Sequence, residues 1–188
     1  MNRLDRTRVL TAPYYSEDLS PSDPAIFLAG PITDAPNWQL DAVRILRERA
    51  RSPIFIFNPR QEKSPTVVEF TDEMYYEQVN WELNHLKHCT GYGVILFWMA
   101  CPVIARKAPE RAYAQTTRLE FGKYSALSNF GAKVVLGIDE SSPRYPFGNE
   151  RYIRHYVATE CPHIPPIQTT LEHTCETALV ALESMGRA

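Results

Sequence analysis

The sequence predicts a doubly wound, flavodoxin-like α/β fold: a parallel sheet of four to five strands with helices on both faces. Three observations carry this. Short apolar runs recur along the chain without polar alternation, as expected of strands buried on both faces. Amphipathic stretches of helical length separate them. Loops rich in Gly, Pro and Asn follow several of the runs. Strands alternating with helices imply right-handed crossovers and a parallel sheet.

The 188 residues fit one domain of ordinary size. Residues 1–24 mix charges and end in Ser20-Pro21-Ser22-Asp23-Pro24, which reads as an irregular arm before a domain spanning 25–188. Ala25-Ile26-Phe27-Leu28 is the first expected strand, and the small residues of Ala29-Gly30-Pro31 allow close backbone approach at its end. Asn37 caps a helix through about Arg49, with Ala42, Val43, Ile45 and Leu46 inward, Arg44, Arg47 and Glu48 toward water, and Leu40 off the apolar face. Ile54 to Phe57 forms a second strand. A long polar loop to about Thr71 follows, then a helix from Asp72 to His88 with Val79, Leu83 and Leu86 on its buried side.

Val94 to Trp98 is a third strand, and a loop over 99–115 leads to a helix from Thr117 to Asn129. Gly131 stops that helix before a strand over 133–138. A turn-rich stretch, a short helix or irregular segment over 150–157, a brief strand around 164–167 and a helix capped by Thr169 or Thr170 and running to about Met185 complete the chain.

Composition narrows the partners. A net charge of −2 with no long basic run argues against nucleic-acid or membrane-surface binding by bulk electrostatics, leaving a small molecule. Cys89, Cys101, Cys161 and Cys175 show no C-x-x-C pairing, which suits a reducing cytoplasm. No apolar segment resembles a leader or a membrane span, so a soluble, cytoplasmic protein is expected. The sequence contains no G-x-G-x-x-G, Walker-type loop, G-x-S-x-G elbow or H-E-x-x-H pair. Glu82-x-x-His85 has the carboxylate-histidine spacing of a di-metal bundle but no second copy, and His85 and His88 read as a solvated helix face and a helix end. Neither metal nor organic cofactor is expected.

What remains is a pair of carboxylates, Glu82 and Glu120, on the helices flanking the third strand. Glycosidic bond cleavage uses two carboxylates in unlike surroundings. Glu120, placed in a first helical turn, would be held ionised by the helix dipole and suits a nucleophile. Glu82, beside apolar residues in mid-helix, would be raised toward the value of an acid. Each also has a structural reading: Thr117-x-x-Glu120 fits a capping box, and Glu82 fits an exposed helix glutamate.

Four motifs in order, Phe27-Leu28-Ala29-Gly30-Pro31-Ile32, Gln78-Val79-Asn80-Trp81-Glu82, Ile95-Leu96-Phe97-Trp98 and Leu119-Glu120-Phe121-Gly122, resemble the nucleoside 2-deoxyribosyltransferase family, particularly its "like" branch. The similarity covers about residues 25–157. It implies that Glu120 is the nucleophile of a covalent deoxyribosyl intermediate, with Glu82 assisting at the nucleobase. It also implies that the loop of Ala29, Gly30 and Pro31 contacts sugar and base. Trp98 and Tyr152 are candidates to stack on the base. Family members commonly complete their sites across a subunit interface of a homo-oligomer, and Asn149 is the matching asparagine.

In place of the aspartate and G-T-like turn usual before the family's nucleophile, this chain has Tyr113-Ala114-Gln115-Thr116-Thr117. A loop containing Arg106, Lys107, Glu110 and Arg111 precedes it. Three outcomes stand: transfer to another nucleobase, hydrolysis of a nucleoside 5′-monophosphate with that loop receiving the phosphate, or a sensor that binds nucleotides without turnover.

Overall fold

The computed structural model describes residues 7–61, 71–104, 112–141, 147 and 150–186. Its elements in chain order are β1 (Thr7–Thr11), β2 (Ala25–Ala29), α1 (Trp38–Arg49), β3 (Ile54–Asn58), α2 (Asp72–Tyr92), β4 (Gly93–Met99), α3 (Gln115–Leu127), β5 (Lys133–Ile138), α4 (Glu150–Glu160) and α5 (Leu171–Met185). The five strands form one all-parallel sheet in the order β1-β3-β2-β4-β5. This is the doubly wound arrangement expected. The chain steps from β2 outward to β3, then crosses back over β2 to β4, so the winding reverses between β2 and β4.

Strand parity decides which helix each side chain meets. Phe27, Phe55, Phe57, Ile95, Phe97, Met99 and Leu136 face α2, α3 and α4, where they pack with Trp81, Leu86, Phe121, Tyr124 and Ile153. Ile26, Leu28, Ile56, Leu96, Trp98 and Val135 face α1 and α5, packing with Trp38, Leu46, Cys175 and Leu179. Ion pairs from Arg49 to Glu172 and Glu176 tie α1 to α5 across the surface.

Two strands depart from expectation. The supposed irregular arm contains the edge strand β1, paired in parallel with β3 from Thr7↔Ile54 to Thr11↔Asn58. Its run Thr7-Arg8-Val9-Leu10-Thr11 is largely half-exposed, with Arg8 open to solvent. An edge strand has one sheet neighbour and tolerates charge, so it lacks the apolar signature of its neighbours. The brief strand expected around 164–167 is reduced to a single bridge, Gly137↔Gln168. Pro162, Pro165 and Pro166 have no N–H to give a ladder, and pairing begins only where the prolines end.

Helix details also shift. α2 runs on to Tyr92 and α4 to Glu160. The buried face of α2 is Trp81, His85, Leu86 and Cys89, while Leu83 is exposed. His85 is therefore a core residue and not part of a solvated face: its Nδ1 lies 2.8 Å from the Trp81 carbonyl and its ring packs against Trp81 and Phe57. Leu40 is exposed as expected, and Thr170 caps α5 by accepting from the His173 N–H. Gly131 ends the short 3₁₀ turn after α3 with φ of 102°, a left-handed conformation that glycine adopts without steric cost.

Candidate functional site

A cleft of about 260 Å³ opens at the carboxyl edge of the sheet, where the winding reverses. Open α/β sheets bind ligands at this position, because the two neighbouring loops diverge there and leave a crevice. One wall is the end of β2 and its loop, Ala29 to Thr33. The opposite wall is α2, through Tyr75, Gln78, Val79 and Glu82, and the start of α3, from Ala114 to Thr117 with Glu120. The two carboxylates singled out by sequence thus share one cleft with Ala29, Gly30 and Pro31.

The loop after β2 is fixed from behind. The Trp38 indole N–H donates to the Pro31 carbonyl at 2.9 Å. One Arg60 amino group lies within hydrogen-bond distance of the Ile32, Ala35 and Pro36 carbonyls at 2.8, 3.3 and 3.1 Å. A side chain on Gly30 would lie 2.5 Å from the Trp98 carbonyl oxygen and 2.6 Å from the Trp38 ring, so no Cβ fits. The smallness required at Gly30 answers this packing beneath the cleft, not an approach by ligand alone.

The setting of Glu120 differs from the one expected. α3 begins at Gln115, with Ala114 at its cap in the left-handed region (φ 54°) and no side-chain cap bond. Thr117 is therefore inside the helix and forms no capping box with Glu120, which is the helix's sixth residue. The dipole's influence fades beyond the first turn, and burial dominates. Desolvation, then the neighbouring charge of Glu82, push the Glu120 carboxyl up to about 8, against a smaller opposing pull from Lys123. Glu120 thus favours the protonated form, the reverse of the expectation from helix position.

Glu82 is also raised by burial, as expected, but an opposing hydrogen bond favours its anion. Gln78 Nε2 donates to Glu82 Oε1 at 2.5 Å and to the Pro59 carbonyl at 2.7 Å, while Gln78 Oε1 accepts from Gln61 Nε2 at 2.6 Å. Both ends of the amide are occupied, so its orientation is defined. Sequence reasoning quoted Gln78 within a motif without giving it a role. The signal was its position four residues before Glu82, one turn away on the same helix face. Gln78→Leu is expected to raise the Glu82 pKa further, because the bond that favours the anion is lost; carboxyl-selective NMR titration of the two variants reads this directly.

Two expected base-stacking residues lie elsewhere. Trp98 sits on the α1 and α5 face of β4, packed beside Gly30 and Gly137, because its parity is opposite to that of Phe97 and Met99. Tyr152 is exposed on α4 and stacks on Tyr156, with ring planes 4° apart, beside a separate groove between α3 and α4. Neither lines the cleft of Glu82 and Glu120. The nearest cleft aromatics among the described residues are Phe27 and Tyr75. Asn149 and the basic loop residues Arg106, Lys107, Glu110 and Arg111 lie outside the described residues.

Among the described residues, no group of three or more His, Cys, Asp or Glu side chains is placed to hold a metal ion. No helix among them is long and apolar enough to cross a membrane.

A parallel sheet with two carboxyls raised by burial in its switch-point cleft is an α/β architecture of the kind that hosts acid-base or nucleophilic chemistry on small molecules. The model of the family described as "nucleoside 2-deoxyribosyltransferase like" matches residues 23–139, more than half of the chain. The chain belongs to this nucleoside 2-deoxyribosyltransferase-like family. Membership points to an enzyme of the nucleoside deoxyribosyltransferase type, acting by glycosyl transfer or N-glycosidic cleavage on nucleosides or nucleobases. No curated protein matches the chain in sequence.

Proposed function

We propose that the protein cleaves the N-glycosidic bond of a (2′-deoxy)nucleoside through a covalent glycosyl-Glu120 intermediate and transfers the sugar to a second nucleobase. The observation that carries this reading is the shared burial of Glu82 and Glu120 in one cleft, where burial raises both carboxyls and the charge of Glu82 adds to the cost of ionising Glu120. Two such groups titrate as a pair, and the working state in this reading holds one proton between them.

That single proton is what a retaining cleavage needs. Before substrate binds it favours Glu120, since Gln78 stabilises the Glu82 anion. A bound nucleoside reverses the preference: the electron-poor anomeric carbon beside Glu120 favours that carboxylate, and a basic ring nitrogen beside Glu82 favours its acid form. Glu120 then forms a bond to C1′ as the C1′–N bond breaks, and the departing base takes the proton of Glu82. An incoming base gives its proton back to Glu82, attacks C1′ and releases the Glu120 carboxylate. Ala29, Gly30 and Pro31, on the opposite wall, hold the sugar against the two carboxylates.

Chromatography of the protein with a panel of nucleosides and 5′-monophosphates, with and without an added base, tests this. The expected result is a new nucleoside in the presence of acceptor; free base alone assigns hydrolysis, and no product from any nucleoside removes the proposal. Turnover is expected to fall as pH rises through about 8, where the pair gives up its last proton.

A further inference from the structure

A second cavity, of about 780 Å³, lies on the other side of the loop after β2. It is bounded by β1, the end of β3, α1 and the loop itself, and it contains the side chains of Arg47 and Arg60. Ile32 and Thr33 line both this cavity and the cleft, so the loop is the partition between them.

The ion pairs among the described residues use Arg8, Arg44, Arg49, Arg51 and Arg154; neither Arg47 nor Arg60 takes part in one. The Nε atoms of both are buried without an acceptor. Arg60 meets only backbone carbonyls through its amino group, and burial lowers its pKa from the ordinary value. Arg47 and Arg60 are both partly buried, and a partly buried guanidinium whose Nε has no acceptor gains from an anion; a bidentate oxyanion is the ligand that best fits it. Among the described residues the remaining polar lining is Thr11, Thr33, Asn37, Asn58 and Gln61, with Asp34 as the one carboxylate against two arginines. Asn37 spends no side-chain bond on capping α1.

We propose that this cavity binds the phosphate group of a small molecule, with Arg47 and Arg60 as its cationic partners. Gln61 lines the cavity and donates to Gln78, which donates to Glu82, so an occupant is in contact with the hydrogen-bond chain that ends on the cleft carboxylate. Binding itself does not rest on the catalytic reading; only this link to Glu82 does.

Titration calorimetry of the full chain with inorganic phosphate, and in parallel with a 2′-deoxynucleoside 5′-monophosphate and its unphosphorylated nucleoside, tests the site. Phosphate or the monophosphate is expected to bind, and Arg47→Gln to weaken that binding by about tenfold or more, the worth of a charge-assisted contact. Leu40→Glu places a carboxylate on an exposed lining residue without disturbing the core and is expected to weaken it likewise. Glu120→Gln is expected to bind phosphate like the parent, which separates this site from the catalytic proposal. Response to inorganic phosphate identifies the free ion as sufficient; response only to the monophosphate, lost in Arg47→Gln, identifies a nucleotide. Absence of binding by both probes, or binding unchanged in both Arg47→Gln and Leu40→Glu, overturns the proposal.

Discussion

Glu120→Gln is expected to lower turnover by about a thousandfold or more, the scale of losing a nucleophile, and at the same time to stabilise the unliganded fold at alkaline pH. The two effects have one cause. The Glu120 carboxyl is raised from its ordinary value of 4.5 to about 8 by burial and by Glu82. Below the ordinary value the group is protonated whether folded or unfolded, and it costs the fold nothing. Between the two values the unfolded chain has released its proton while the folded chain holds it, so stability falls as pH rises; above about 8 the full cost is present. Each pKa unit corresponds to about 1.4 kcal/mol, which makes the full penalty on the order of a few kcal/mol. Glutamine cannot ionise and escapes it. Melting curves of parent and variant should therefore coincide at acid pH and separate as pH rises, the variant melting higher. A variant that is no more stable at alkaline pH would show that Glu120 is well solvated and charged in the free protein.

Trp81→Ala is expected to cost about 3–5 kcal/mol of folding stability, the range for deleting a large aromatic from a packed core. Trp81 is fully buried, packs against Phe27, Phe57 and His85, and donates from its indole N–H to the Tyr14 carbonyl at 2.8 Å. It is thus one of the contacts through which α2 grips both the sheet and the segment after β1. Because it adjoins Glu82, the loss also loosens the cleft wall. Denaturant unfolding measures the effect, and a cost below about 1 kcal/mol would mean that the neighbouring rings collapse into the space.

The central strands were readable because burial on both faces leaves uninterrupted apolar runs, as in Ile54-Phe55-Ile56-Phe57 and Val94-Ile95-Leu96-Phe97-Trp98. What escaped reading depended on neighbours. β1 is held by one strand and keeps Arg8 outside, so its composition resembles a loop. Pairing of Glu82 with Glu120 in one cleft was legible, since their helices flank β4 in sequence. The protonation preference of Glu120 was not, because it depends on where α3 begins and on how deeply the cleft is buried. The placement of Trp98 was available from strand parity alone: Phe97 and Met99 share the face of α2 and α3, and Trp98 must take the other. Arg47 read as a solvated helix residue beside Arg44 and Glu48. It is half-buried instead, because the loop after β2 and the end of β1 close a cavity over it.

The most direct measurement is intact-protein mass spectrometry after incubation with a nucleoside carrying fluorine at C2′, a substituent that destabilises the oxocarbenium-like transition state and slows release of a glycosyl intermediate. The expected result is a mass gain equal to the fluorinated sugar, mapped by peptide fragmentation to Glu120, abolished in Glu120→Gln and discharged by an added base. Turnover of the natural nucleoside with the adduct on another residue, or with no adduct under any condition, would contradict Glu120 as the nucleophile.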